Sequence, residues 1–299
     1  MALPNLRPLS FGEILDGAFT LYRRNFVTFV VTAMIPAAVI VVAFLALGGG
    51  IVAAMTSPDP TAIFGALLGG GLLVMVVGFG AWLTVWGGLT HQASEAYTGQ
   101  PASVSDGLRA GFRAALPMIL SGLLAFLGIM VAAIGVFIVM AVVLGIFAAM
   151  GGVMAGLGVL LAFVGWCAFM LVASAVLFAV APAIVVEKAG AIEALERSFA
   201  LARGALGRVI GLMLVTILIT YLPSMAVMMV TGGFSQMMNP EAVPTASQVI
   251  TQQVLGMGVS ILTTPFMVAV IVLLYFDRRV RTEALDVQMM ADRLAVAGD

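Results

Sequence analysis

The chain has 299 residues, 63% of them apolar and only 9% charged, with a net charge of −1 and a mean hydropathy of +1.19. A soluble domain carries about 25% charged residues, so this composition excludes an ordinary globular enzyme and predicts an integral membrane protein. The near-zero charge without a basic run excludes a nucleic-acid partner, and a single cysteine, Cys167, excludes an intrachain disulfide.

The N-terminus, MALPNLRPLS, has no signal-peptide core, so the first apolar run is expected to remain as an uncleaved helix. Ser10 and Glu13 form an S-x-x-E capping box, which starts a helix near Phe11. Phe11, Ile14, Leu15, Ala18, Phe19, Tyr22 and Phe26 then recur on one helical face, with Glu13, Asp16, Thr20 and Arg23 opposite. This segment, about 10–25, is too polar to span a bilayer and is expected to lie in the interface.

A spanning helix needs about 20 apolar residues. Runs at about 26–47, 63–89, 116–150, 153–180, 209–230 and 254–276 meet that length. None alternates like a barrel strand, so the predicted class is all-α: a polytopic membrane protein of six transmembrane helices. The third run exceeds a bilayer and is expected to tilt, to begin outside the membrane, or to break near Gly135 or Gly145.

The connections alternate in charge. The turns around 56–61 and 151–152 and the polar loop 231–253 contain no lysine or arginine. All 13 basic residues fall on the other side, so the positive-inside rule places both termini in the cytoplasm. All but two of the 14 acidic residues, Asp59 and Glu241, share that side. A nearly neutral face predicts ion-paired cytoplasmic helices rather than a polybasic anchor.

Three segments share the pattern [DE]-x-L-x-x-x-F: Glu13/Leu15/Phe19, Asp106/Leu108/Phe112 and Glu193/Leu195/Phe199. A small residue, Ala18, Gly111 or Ser198, precedes each Phe, and Ser103 repeats the capping serine before Asp106. The reading is three parallel units, each a cytoplasmic amphipathic helix (about 10–25, 103–115 and 190–204) followed by a transmembrane hairpin. The last span continues into a cytoplasmic helix at about 277–295, with Asp277/Arg281 and Arg279/Glu283 as i,i+4 pairs.

Candidate chemistry is sparse. No span carries an ionisable residue in its interior, which argues against a proton-coupled carrier. His91, the single histidine, and Cys167 are too few and too far apart for a metal site, so no catalytic, metal or cofactor residue is assigned. Gly69-Gly70-Gly71 lacks the Lys-Ser/Thr of a phosphate loop. Pro36, Pro223 and Pro265 are candidate kinks, with Thr263-Thr264 and Ser224 placed to satisfy freed carbonyls. Gly65/Gly69, Gly152/Gly156 and Gly207/Gly211 match G-x-x-x-G and suggest close packing. Trp82 and Trp86 read as interface anchors.

Arg7-Pro8 with FGEILDGAFTLYRRNF, the Pro182…Val186-Glu187 segment before Ala194-Leu195-x-Arg197-Ser198, and the closing LYFDRRVRTEALD together resemble a known family. It is the membrane domain associated with glycerophosphoryl diester phosphodiesterases, found also as stand-alone six-span bacterial proteins. The resemblance implies the membrane part in a bacterial inner membrane. It does not imply hydrolysis, which in fused members belongs to a barrel with paired histidines and carboxylates around a metal.

The expected partners are the bilayer and either a protein or a second copy of the chain. The expected interaction face comprises Glu13, Asp16, Arg23, Arg24, Glu187, Asp277, Arg279, Arg281 and Glu283, with the first four pairing the charges of 277–283. The function expected is a non-catalytic scaffold or regulator acting through cytoplasmic helices. The alternative is a permease for a lipid or small solute, with a cavity at the kinked spans. An intramembrane enzyme stands last.

Overall fold

The computed structural model describes residues 7–55, 59–233, 239 and 245–283. Among them every regular element is helical. Helix α1 (Phe11–Arg24) is capped by both halves of the predicted box: Glu13 N donates to Ser10 Oγ and Ser10 N donates to Glu13 Oε2. Asn25 ends it by donating its backbone and side-chain N–H to Leu21 O, and α2 (Phe26–Met55) follows at once.

Helix α3 (Pro60–Ala66), a π-helical turn (Leu67–Gly71) and α4 (Leu72–Tyr97) form one continuous run. The three glycines at 69–71 thus lie inside a helical segment. The expected 103–115 helix and 116–150 span are one helix, α5 (Val104–Met150), with no break at Gly135 or Gly145. Its 47 residues reach about 70 Å. Apolar surroundings offer a freed backbone group no water, so a glycine there costs less than the broken hydrogen bonds would.

Gly151 and Gly152, at φ 66° and 54°, make the turn into α6 (Gly152–Val176). The expected 153–180 span bends at Leu177–Ala179 and resumes as α7 (Val180–Val186). Helix α8 (Ala191–Ala202) and α9 (Leu206–Val230) come next. The last helix, α10 (Ala246–Glu283), carries the sixth apolar run and the first charges of the expected C-terminal helix. The rest of that helix, to 295, and Glu241 lie outside the described residues.

Among the described residues six helical runs are long and apolar enough to cross a membrane: within α2, from α3 through α4, α5, α6 through α7, α9 and α10. The expected hairpin partners touch, α2 with α4, α5 with α6 and α9 with α10, but α4 also packs closely along α5. Helix α10 lies at the centre against α1, α2, α4, α8 and α9. Its run Val268–Phe276 is buried at nearly every position, as a helix apolar all round requires.

The packed core is confined to one end of the bundle. It joins Ile14, Ala18 and Leu21 of α1 to Phe29, Leu89, Leu201, Leu212 and the α10 run. The other end is barely packed: none of the most apolar window of α5 is buried within the chain.

Glycines set the closest contact, between α4 and α5. A Cβ on Gly111 would sit 1.8 Å from Thr84 O, and one on Gly88 would sit 2.9 Å from Gly107 O. Gly107 and Gly111 are therefore the G-x-x-x-G pair at a crossing. The sequence matches at Gly65/Gly69 and Gly152/Gly156, and Gly207, meet nothing within 4 Å. Gly211 only touches the Phe11 ring. None of those three pairs therefore brings two helix backbones together as Gly107 and Gly111 do.

Candidate functional site

The charged groups gather at the packed end in two clusters. In the first, Arg197 of α8 reaches Glu187 with Nε (2.8 Å to Oε2) and Nη2 (3.1 Å to Oε1), and reaches Glu283 at 2.7 Å. Arg279 bridges the same two carboxylates at 3.3 and 3.1 Å, its guanidinium 5.6 Å from the centre of the Tyr275 ring. Tyr275 donates a short hydrogen bond to Glu187. Burial works to raise the Glu187 pKa. The hydrogen bonds from Arg197 and Tyr275 and the charge of Arg279 outweigh it, leaving the carboxyl below the usual range.

The second cluster centres on Asp277, which is fully buried. It accepts Leu9 N at 2.8 Å and pairs with Arg281 at 3.0 Å and Arg208 at 3.2 Å. Both arginines also donate to Leu9 O. Nearby, Arg278 donates to Leu201 O at 2.9 Å, in the last turn of α8 where a cation is favoured.

Glu187, Asp277, Arg279, Arg281 and Glu283 thus come together with Arg197, Arg208 and Tyr275. The other four expected face residues do not join them. Asp16, Arg23 and Arg24 are exposed and pair with none of the 277–283 charges. Glu13 instead binds Arg7 and the Ser10 backbone, which hold its pKa down to about 2. The two segments do lie side by side, but the expected pairing of surface charges is replaced by a backbone tie at Leu9, because α1 turns its apolar face toward α10 and its charges away.

The three repeated segments bury equivalent positions: Ile14, Ala18 and Leu21 in α1; Gly107, Gly111 and Ala114 in α5; Ala194, Ser198 and Leu201 in α8. Each following Phe is exposed: Phe19 56%, Phe112 76% and Phe199 54%. Ser198 explains its polar choice, donating to Val176 O at 2.6 Å and accepting from Ala179 N where the chain bends between α6 and α7. Ser103 occupies the N-cap of α5 without the expected side-chain cap bond. The capping carboxylate recurs in α8 instead, where Glu193 accepts Gly190 N.

Two clefts accompany the clusters. One, of about 330 Å³, lies between α2, α4 and α10 and is lined by Pro36, Trp82, Trp86, Gln253, Ser260 and Thr264. Trp82 and Trp86 line it 11–15 residues before the end of α4 at Tyr97, some 20 Å along the helix. Both thus line a cleft wall while lying three to seven residues before the expected end of the second span at 89. Pro223 and Pro265 lie in unbroken helices. Thr263 donates to Val259 O at 3.0 Å and not to the Ile261 carbonyl freed by Pro265, since a helical threonine reaches the carbonyl four residues back.

The second cleft, about 630 Å³, lies between α4, α5 and the α7–α8 turn and is lined by His91, Asp106, Arg109, Arg113 and Lys188 above Pro117 and Ile184. His91 Nε2 is 3.3 Å from Glu95 Oε1. Among the described residues no group of His, Cys, Asp and Glu is placed to hold a metal, and Cys167 is a free thiol.

No motif or spacing points to Gln92, which is fully buried and donates to Thr32 Oγ1 at 2.8 Å and Ser103 O at 3.0 Å. It ties α2 to the start of α5 beside Gly107, where a Cβ would meet its amide at 2.6 Å.

Fold and site define the class: among the described residues every regular element is helical, six long apolar runs are those of a multi-pass membrane protein, and ion-paired helices close one end. The chain belongs to the family described as a domain of unknown function (DUF7847), which it matches over residues 9–278. No curated protein and no solved structure matches it.

Proposed function

We propose that this is a non-catalytic six-span protein of the bacterial inner membrane with both termini in the cytoplasm. It is built of three units, each an interfacial helix followed by a hairpin, and serves as a scaffold or regulator in a lipid-related process. One observation carries the reading: the packed core and the ion pairs of α7, α8 and α10 are concentrated at the end that holds the basic residues. A rigid platform at one membrane face suits docking better than passage. The equivalent burial in α1, α5 and α8 supports the three units, and their exposed phenylalanines suit an interfacial position. The resemblance to the phosphodiesterase-associated membrane domain supports the lipid connection.

Gentle solubilisation followed by affinity purification tests this. A stoichiometric protein partner or a discrete oligomer is expected, and a lone monomer in every mild detergent overturns the scaffold. Reporter fusions at Asp59 and Asp299 should read outside and inside, and the reverse would break the topology.

A second reading, a permease for a lipid or small solute, is favoured by the cleft beside Pro36 with its polar groups Gln253, Ser260 and Thr264. Reconstituted vesicles would then move a substrate at a rate altered by Pro36→Ala.

A further inference from the structure

About half of the described cations, all at the packed end, are held within the chain. Arg7, Arg197, Arg208, Arg279 and Arg281 each hold a carboxylate, and Arg278 holds a carbonyl. Arg109, Arg113 and Lys188 differ. They line one cleft of about 630 Å³, and among the described residues they have no hydrogen bond or ion pair. The only carboxylate lining that cleft is Asp106, and its imidazole, His91, is held by Glu95. The cleft is therefore cationic.

Its position on α5 is equally informative. Arg109 and Arg113 are one turn apart, and Pro117, Leu120 and Leu124 continue the same face at i+3 and i+4 spacing. Leu116, Leu120 and Leu124 are exposed, so a cationic surface runs directly into an apolar one along a single unbroken helix. Gly107 and Gly111 press the opposite side of α5 onto α4 and hold this row outward. The far wall repeats the order: Lys188 lies at the mouth, and Ile184 lies one turn deeper.

Lys188 is also the described non-glycine residue with a left-handed backbone, φ 57°. It ends α7 in a turn closed by Ala189 N donating to Ala183 O, where glycine is the cheaper residue.

We propose that this cleft binds the phosphate of an anionic phospholipid. Arg109, Arg113 and Lys188 hold the headgroup, and the acyl chain runs along Pro117, Leu120 and Leu124. The order of chemistry in the cleft, cations and then alkyl surface, is the order of chemistry in such a lipid. A soluble phosphate would use only the first half. This inference deepens the lipid-related reading above and shares its assignment of this end of the bundle to a membrane face.

The test uses the full chain in detergent, with thermal stability read against added phosphatidylglycerol, phosphatidylcholine or inorganic phosphate. Phosphatidylglycerol should raise the melting temperature saturably, with little response to phosphatidylcholine. The R109Q, R113Q and K188Q variants should each weaken the apparent affinity roughly fivefold, as expected for one basic group at an anionic lipid. R23Q/R24Q, which removes exposed arginines outside the cleft, should leave it unchanged.

An equal loss with R23Q/R24Q, or retained affinity in the triple cleft variant, overturns the proposal in favour of diffuse attraction. An equal response to millimolar inorganic phosphate overturns the lipid assignment. Native mass spectrometry of the same samples gives a second readout: one retained anionic lipid in the parent and none in the triple variant. A missing protein partner would sink the scaffold reading and leave these lipid results untouched, so the two failures are distinguishable.

Discussion

The buried carboxylate of Asp277 accepts a hydrogen bond from the backbone N–H of Leu9 at 2.8 Å, joining residues 268 positions apart. The same residue neutralises Arg208 and Arg281, whose guanidinium groups also bind Leu9 O. One side chain therefore fixes the entry to α1, the start of α9 and the end of α10. Asp277→Asn keeps the volume but removes the charge that compensates two arginines. Breaking a buried pair in this way costs roughly 3–5 kcal/mol. Thermal unfolding in detergent should show that loss, and hydrogen exchange should show α1 opening first.

The glycine crossing separates close packing from mere composition. Gly111→Ala places a methyl 1.8 Å from Thr84 O, so α4 and α5 must part. Overpacking against backbone should cost about 3 kcal/mol, the upper part of the usual range. Gly135→Ala in the same helix meets nothing within 4 Å and should be neutral or stabilising by up to ~1 kcal/mol. Equal effects of the two in an unfolding titration would contradict the crossing.

Acid should loosen the α7–α8–α10 cluster. The folded pKa of Glu187 lies below its usual value, so its contribution is complete above about pH 4.3. It is lost as the pH falls through the folded pKa. Glu13, held at about 2, acts in the same direction over the window from about 4.3 downward. Melts from pH 7 to pH 3 should show falling stability, and Glu187→Gln should flatten part of that limb while lowering stability at pH 7.

Lys188→Gly should raise stability by about 0.5–1 kcal/mol, because glycine adopts the left-handed conformation without the Cβ penalty. The same substitution should weaken phosphatidylglycerol binding. A gain in one assay against a loss in the other would mark Lys188 as held in a costly backbone for its side chain.

Much of the architecture was legible in the sequence, for reasons visible residue by residue. Apolar length found the six runs, and the Ser10/Glu13 spacing found the start of α1 to the residue. Local pairs such as Arg279/Glu283 were also readable, since both partners lie on one helix. The long-range partners were not: Arg197 meets Glu283 across 86 positions, and nothing in spacing marks that. Gly107 and Gly111 were hidden among 34 glycines, because which glycine meets a neighbour depends on the rotation of two helices. Gln92 was missed for a related reason. A lone polar residue near a helix end reads as exposed until a second helix covers it.

The central position of α10 bears on how the protein is made. Synthesis runs from the N-terminus, so five apolar runs enter the membrane before the helix they enclose exists. Until then Ile14, Phe29, Leu89 and Leu212 lack the neighbour that buries them, and Leu9 has no Asp277 to bind. Assembly of the core is therefore held open until the final span arrives, and a polypeptide truncated before α10 lacks the helix around which the other core residues pack.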